Sequence, residues 1–151
     1  MLRTLIFFSL ITSAHASLDD LVNAAQRFAA AIDQQITIAQ SDPSPAFLAE
    51  NTVAYAGAKI FYFNALRAAM PELTNIATGP RARTHEVDKF RDAFHVAGGI
   101  QEIAADKETA ALLQRYEADS NVQKAAAQFD QAQKVEERFH KDFDGQDLAG
   151  A

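Results

Sequence analysis

The chain has no cysteine and no tryptophan among its 151 residues. The lack of cysteine excludes disulfides, thiolate nucleophiles, Cys-ligated metal sites, thioether-attached haem and a lipid anchor on cysteine. Only six glycines and four prolines are present, and a β-sandwich or β-barrel needs more turn residues than that. These absences favour a helical protein whose chemistry depends on a few positions.

Positive charge is also scarce. Lys and Arg number 14 against 20 Asp and Glu, which gives a net charge of −6 and a pI of about 5.1. Nucleic-acid binding is disfavoured, because phosphate backbones require clustered positive charge. Hydrophobic residues make up 48% of the chain, 31 of its residues are Ala, and the charged fraction of 23% argues against disorder. The composition predicts one small, acidic, helical domain.

The first sixteen residues have the pattern of a secretory signal peptide. Arg3 precedes an apolar run over 5–11, and Ala14-His15-Ala16 is the small-x-small pattern that signal peptidase recognises. The run is far shorter than the roughly 20 residues of a membrane-spanning helix, and no later segment is long and apolar enough. We therefore expect cleavage after Ala16, export to a periplasm and no membrane insertion. The expected organisation is signal peptide 1–16, helical bundle 17–145 and flexible tail 146–151.

Apolar residues recur with helical spacing along the rest of the chain. The pattern predicts long helices over 18–40, 45–70, 85–105 and 121–143, with a short one over 107–118. Capping residues precede the four long helices, at Ser17, Ser44, Thr84 and Ser120. The predicted fold is all-α, an antiparallel four-helix bundle with one additional short helix.

The second predicted helix has two apolar faces. One comprises Leu48, Thr52, Tyr55, Tyr62 and Leu66, and the other Val53, Ala56, Gly57, Ile60 and Phe61. A helix of this kind either lies centrally in its fold or covers a partner or ligand. Pro71 is expected to end or kink this helix, with another turn or two beyond it. Both interpretations of the second face stay open at this stage.

Histidine is the first candidate ligand. Ideal helical geometry places His140 on nearly the same line as Val122 and Phe129, at the edge of the inner face of the last helix. His95 is expected to face solvent, and His85 lies at a helix start. His140 is therefore the one histidine predicted to reach the interior, either as a ligand of haem iron or another metal or as a partly buried, hydrogen-bonded side chain.

Two acid-x-x-His pairs suggest a second kind of site. Glu137 precedes His140 and Asp92 precedes His95 at the spacing used by dimetal carboxylate bundles, which need two such pairs and two further inward carboxylates. The second predicted helix offers only Glu50, and His95 points outward, so the pattern is incomplete. No paired inward carboxylates and no Gly-rich loop after a strand indicate catalysis, and we expect no enzyme.

Three segments resemble the soluble periplasmic cytochrome b562 family. The last helix, 122–143, is similar in its Ala-rich stretch and its aromatic-His pair followed by an aromatic residue three positions on. The segment 90–94, with Gly99 five residues further, is similar to the third helix of that family. The segment 16–20 resembles its start after signal cleavage.

The resemblance implies haem held noncovalently between the first and last helices. His140 would then be one axial ligand, and Phe90 and Phe94 would line the ring. Val22 stands where the family has its axial methionine and would pack against the ring without coordinating iron. With one protein ligand, the iron would favour binding of a small molecule over fast electron transfer.

Two functional hypotheses follow. The first is a b562-like haem protein, either an electron carrier or a small-ligand binder, which depends on His140. The second is a noncatalytic periplasmic module, of the inhibitor or immunity type, that binds a protein without haem. That hypothesis uses the second helix around Tyr55, Phe61, Tyr62 and Phe63, through which a homodimer could also form.

Overall fold

A computed structural model describes residues 13–78 and 91–143, with side chains over 18–74 and 91–143. The four long helices are α1 (Ser13–Gln40), α2 (Pro45–Thr78), α3 (Ile100–Arg115) and α4 (Ser120–Asp142). Residues 91–94 form a further helical segment, and these ranges contain no strand. The prediction of an all-α helical bundle is confirmed.

The helix starts agree with the predicted caps at one position only. Ser44 caps α2, because its Oγ accepts the N–H of Phe47 at 3.2 Å. The cap of α4 is Asp119 and not Ser120, since the Asp119 carboxylate accepts two N–H groups of the first turn. Helix α1 begins upstream of Ser17, so Ser17 is not its cap. Thr84 lies outside the described residues.

Helix α2 continues through Pro71, which we expected to end or kink it. Proline removes one backbone donor from a helix, but packing on both sides of it can offset that loss. Met70 and Leu73 flank Pro71 and are both buried in the core. After Pro71, α2 continues for one full turn and part of the next, and its described part ends at Thr78.

The third helical region is interrupted at a different place from the predicted one. The break falls at 95–99, where Gly98 has φ of +78°, a conformation that favours glycine. Residues 100–115 form one helix, so the predicted boundary near 106 and the separate short helix are wrong. At the start of α3, Gln101 is exposed and the neighbouring Glu102 is buried.

The helices pack around one core. Helix α2 packs extensively against α1 and α4, and α3 packs mainly against α1. Helices α1 and α2 are antiparallel, as predicted, whereas α2 and α4 run in the same direction, since Tyr55 stacks near Phe129 and Phe63 near Phe139. Helices α1 and α4 make little or no close backbone contact. No described helix is long and apolar enough to span a membrane.

Candidate functional site

The middle of α2 contains a lysine that is completely buried. The ammonium group of Lys59 lies 3.0 Å from both carboxylate oxygens of Asp106, 2.9 Å from Glu136 and 3.2 Å from Glu102. It also donates to the side-chain oxygen of Gln133. A buried ammonium needs this many partners, because taking it out of water costs several kcal/mol.

Three helices supply the charged partners of Lys59. Glu102 and Asp106 are one turn apart on α3 and therefore share a face, and Glu136 comes from α4. The hydroxyl of Tyr55, one turn before Lys59 on α2, donates to Asp106. Because α3 makes few close backbone contacts with α2 and α4, this side-chain cluster is the main link of α3 to those two helices.

Burial and charge shift the pKa values within the cluster. Burial raises the pKa of Glu102 to about 7, a hydrogen bond with Glu136 adds to the rise, and the charge of Lys59 opposes it. Burial also acts to raise the pKa of Glu136, but the hydrogen bond from Glu102 and the charge of Lys59 outweigh it and lower that pKa. Glu102 therefore holds the proton that the two carboxyls share.

The lysine itself stays charged. Burial lowers the pKa of Lys59, but Glu136, Asp106 and Glu102 together outweigh the burial and raise it. Burial and the hydrogen bond to Asp106 raise the pKa of Tyr55, which therefore stays a neutral donor. The cluster thus combines one ammonium, two carboxylates and one carboxyl that titrates near neutral pH.

The oxygens of Glu102, Asp106 and Glu136 lie within 4.8 Å of one another, as in a site for a divalent cation. The ammonium group of Lys59 contacts all three of these residues at distances near 3 Å. The cation among these three acidic residues is therefore a side chain of the protein, and its single charge offsets part of theirs. The chemistry of the cluster is ion pairing and proton binding in the core.

A second buried polar group joins α1 to α2 and α3. The side-chain amide of Gln35 donates to the hydroxyl of Thr109 at 3.1 Å and to that of Thr52 at 3.4 Å. The side-chain oxygen of Gln35 is buried without a hydrogen-bond partner. Together with the lysine cluster, this group fixes the register of α3 against the other helices, since buried polar groups must meet their partners.

The structure corrects the expected position of His140. Its side chain is 61% exposed, lies beside Glu136 at 3.6 Å and contacts the rings of Phe63 and Phe139 at their edges. The neighbouring Phe139 is the buried residue. The buried positions of α4 repeat every 3.5 residues, as in supercoiled helices, whereas the prediction for His140 used the 3.6 residues per turn of a straight helix. The two periods diverge by about 20° of rotation per seven residues. Over the 18 residues from Val122 to His140, this difference turns His140 away from the core.

The other positions implied by the haem resemblance lie elsewhere. Val22 is half-buried and lines an apolar groove of about 300 Å³ between α1 and residues 92–96. Phe94 is also half-buried but is not among the residues that line this groove. Phe90 lies outside the described residues. His140 does not line this groove, and α1 does not pack against α4. These residues therefore do not form one haem pocket with His140 as the axial ligand.

The acid-x-x-His pairs do not assemble either. Asp92, His95, Glu137 and Glu50 are all exposed, which for His95 agrees with the prediction. The acidic side chains that converge are those of Glu102, Asp106 and Glu136. None of these three was predicted to be a site residue. Two features of the sequence point to them: a lysine in the most apolar helix, and acids at i and i+4 on one line of α3.

The predicted partner-binding aromatics separate into two sets. Tyr55, Tyr62 and Phe63 are buried in the core, whereas Phe61 is 47% exposed. Other exposed or half-buried apolar residues share the side of α2 that holds Phe61. We define the α2 outer face by six residues: Phe47, Val53, Ala54, Gly57, Ile60 and Phe61.

Comparison of the chain with protein-family models, curated proteins and solved structures finds no match.

Proposed function

We propose that this chain is a noncatalytic, exported helical module that binds a protein through the α2 outer face. The observation that carries the proposal is the exposure of three large apolar side chains on one helix face: Phe47 at 45%, Val53 at 46% and Phe61 at 47%. Scattered apolar residues are ordinary on a protein surface, but a continuous apolar patch is typical of an interaction site.

The charge distribution of this face supports the same function. Glu50 is the one charged residue pointing outward between Phe47 and Asn64 on this side of the helix. A helix whose only role is structural normally presents charged residues to solvent. The guanidinium of Arg27, from α1, lies 5.4 Å above the ring of Phe61 and forms part of the rim. An apolar centre with a polar rim is the usual anatomy of a protein interface.

Export is the second part of the proposal. The expected cleavage after Ala16 falls inside the first turns of α1, and Leu18 is the first residue in the described side-chain range that is buried in the core. Removal of residues 1–16 would therefore leave the core contacts of α1 from Leu18 onward in place. The mass of the protein purified after expression with its own N-terminus tests this point directly.

Site-specific photocross-linking in cells tests the binding function. A photoreactive phenylalanine analogue at Phe61 is expected to give a discrete cross-linked product, whereas the same analogue at Ala111, on the exposed side of α3, gives none. A chain with Phe47→Ser is expected to lose the product at position 61. Equal labelling at both positions, or none at either, would contradict the proposal.

Haem binding is the second candidate function. It is supported by the resemblance of helices α1 and α4 and by the apolar groove beside Val22. The exposed position of His140 counts against ligation from that residue. A titration of the purified protein with ferric haem distinguishes this candidate from the first.

A further inference from the structure

The centre of the α2 outer face is a glycine that no contact within the described chain requires. A Cβ atom built at Gly57 meets no other atom within 4 Å. Glycine in a helix interior is less stable than alanine, so this position lowers helix stability without a compensating contact in the described part of the chain. A glycine there does allow a second helix to approach at the short end of the usual 8–10 Å range between axes.

The residues before Gly57 are complementary in size to the residues after it. When two copies of α2 pack antiparallel and cross at Gly57, a residue that follows Gly57 by a given number of positions in one copy faces the residue that precedes Gly57 by the same number in the other copy. Phe61 then faces Val53 of the second copy, and Ile60 faces Ala54. In each of these pairs the larger side chain therefore meets a smaller one, as close helix packing requires.

The polar groups are complementary in the same register. Glu50 precedes Gly57 by seven residues and Asn64 follows it by seven, so the carboxylate of one copy meets the amide of the other. Arg67, three residues beyond Asn64, pairs with Asp142 of its own chain at 2.9 Å and borders the same end of the face. The one acidic side chain of the face thus meets an amide.

The neighbouring helices widen the surface that α2 presents. Residues 46–68 span about 33 Å of helix, and α2 alone offers a strip about 10 Å wide, or about 330 Å². Arg27 of α1 borders the strip on one side, and Val135 and Arg138 of α4 form a shallow groove with Asn64 on the other. A standard interface buries about 800 Å² per copy, so a dimer on this face must include these flanks as well as α2.

We propose that this chain forms a two-fold symmetric dimer in which the α2 outer faces pack antiparallel and cross at Gly57. The inference rests on the proposed function and names its partner as a second copy of this chain. A two-fold axis through Gly57 generates two identical sets of the contacts described, as a closed dimer does.

Sedimentation equilibrium of the purified protein tests the dimer. The wild-type protein is expected to sediment at twice the chain mass, and Gly57→Leu to raise the dimer dissociation constant more than tenfold. Because a side chain at position 57 meets open space, Gly57→Leu is expected to keep or raise the melting temperature measured at monomer concentrations. Ala111→Leu, at an exposed site on α3, is the control and should leave the dimer unchanged.

Single cysteines test the register, since the chain has none of its own. Gly57→Cys should give a disulfide-linked dimer on oxidation, and Ala111→Cys should not. Antiparallel packing places position 54 of the two copies about 9 Å apart along the axis, beyond disulfide reach. Ala54→Cys alone should therefore stay unlinked, whereas Ala54→Cys combined with Ile60→Cys should link efficiently. Linking through Ala54→Cys alone would overturn the antiparallel register.

The outcomes also separate this inference from the proposed function. A protein that stays monomeric, or a dimer insensitive to Gly57→Leu, overturns the second copy as the occupant. If photocross-linking at Phe61 then still captures a different protein, the binding function stands with another partner. If neither dimer nor cross-link forms, both proposals fail.

Discussion

At the residue scale, the most unusual feature is a lysine without solvent contact in the middle of the core. Buried ion pairs contribute little net stability compared with apolar residues of the same shape, but removing one partner leaves the others uncompensated. Lys59 is the only cation among three carboxylates that the described structure places around it. The three acidic residues can therefore stay in these positions only while Lys59 carries its charge.

Replacing this lysine by methionine keeps the length of the side chain and removes its charge. We expect Lys59→Met to lower the free energy of unfolding by about 3 to 5 kcal/mol at pH 7, since it leaves carboxylates buried without a cation. The loss should shrink toward pH 5, where the carboxyls can bind protons. Urea denaturation at both pH values measures the effect. Lys134→Met, at an exposed site of α4, is the control and should change stability little.

The raised pKa of Glu102 predicts how stability depends on pH. An acid whose pKa is higher in the folded than in the unfolded state binds more protons when folded, so stability falls as pH rises between the two values. For Glu102 the window extends from about 4.5 to about 7, and the difference corresponds to at most about 3 kcal/mol. The pKa of Glu136 is lowered in the folded protein, so the stability that this residue contributes is lost only when the pH falls below the ordinary pKa range of a glutamate. We therefore expect maximal stability near pH 5.

Glu102→Gln tests this account, because the amide resembles the protonated carboxyl. We expect the unfolding free energy of the variant to be flat between pH 5 and 8, and to equal or exceed that of the wild type at pH 8. Denaturant titrations across this range make the comparison. Glu108→Gln, exposed on the same helix, should keep the wild-type slope. A wild-type protein with no slope would contradict the assignment of the shared proton.

At the element scale, the start of α4 shows how a cap depends on backbone geometry. Ser120 and Gln123 match a capping box in sequence, but Asp119 has the extended backbone of an N-cap and accepts the N–H groups of Asn121 and Val122. A residue that is already helical cannot use its side chain in this way. Gln123 instead donates to the carbonyl of Glu117, before the helix.

The two candidate caps can be compared directly. Asp119→Ala is expected to lower the free energy of unfolding by about 1 kcal/mol, because it leaves first-turn N–H groups without an acceptor. Ser120→Ala, one residue on and exposed, should leave stability within about 0.5 kcal/mol of the wild type. Urea denaturation resolves the difference. The opposite order would restore Ser120 as the cap.

At the scale of the whole molecule, the order of the helices decides what the bundle can hold. The resemblance to the cytochrome b562 family implies a ligand between the first and last helices, whereas α1 here packs on α2 and α3. The space that borders α1 is the groove beside Val22, and α4 contributes none of its lining residues. A molecule bound in this groove would contact α1 and residues 92–96.

A ferric haem titration of the purified protein checks this difference. With His140 exposed on the side of α4 that faces α2, we expect no saturable one-to-one Soret shift that depends on it. The visible spectra of the wild type, His140→Ala and the control His95→Ala should therefore coincide throughout. A shift that is present in the wild type and in His95→Ala but lost in His140→Ala would establish His140 as the ligand and favour the haem protein over the binding module.

The sequence by itself determined the helical class and the inner line of α2, because a period near 3.6 and the scarcity of turn residues leave few alternatives. It also identified α2 as apolar on two sides. Local pattern misplaced the interruption of the third helical region near 106, because the chain leaves the helix at 95–99, where Gly98 and Gly99 weaken it.

Only the tertiary structure decided which side chains meet. Glu136 is half-buried and His140 four residues later is exposed, because a 3.5-residue period rotates the inner line of α4 by an amount that no single helix reveals. Lys59, Glu102 and Glu136 lie on three helices, and their proximity follows from helix order and register, which are long-range properties. The same packing buried Tyr55 and left Phe61 outside, since two faces of α2 compete for one core and only one can be covered within the chain.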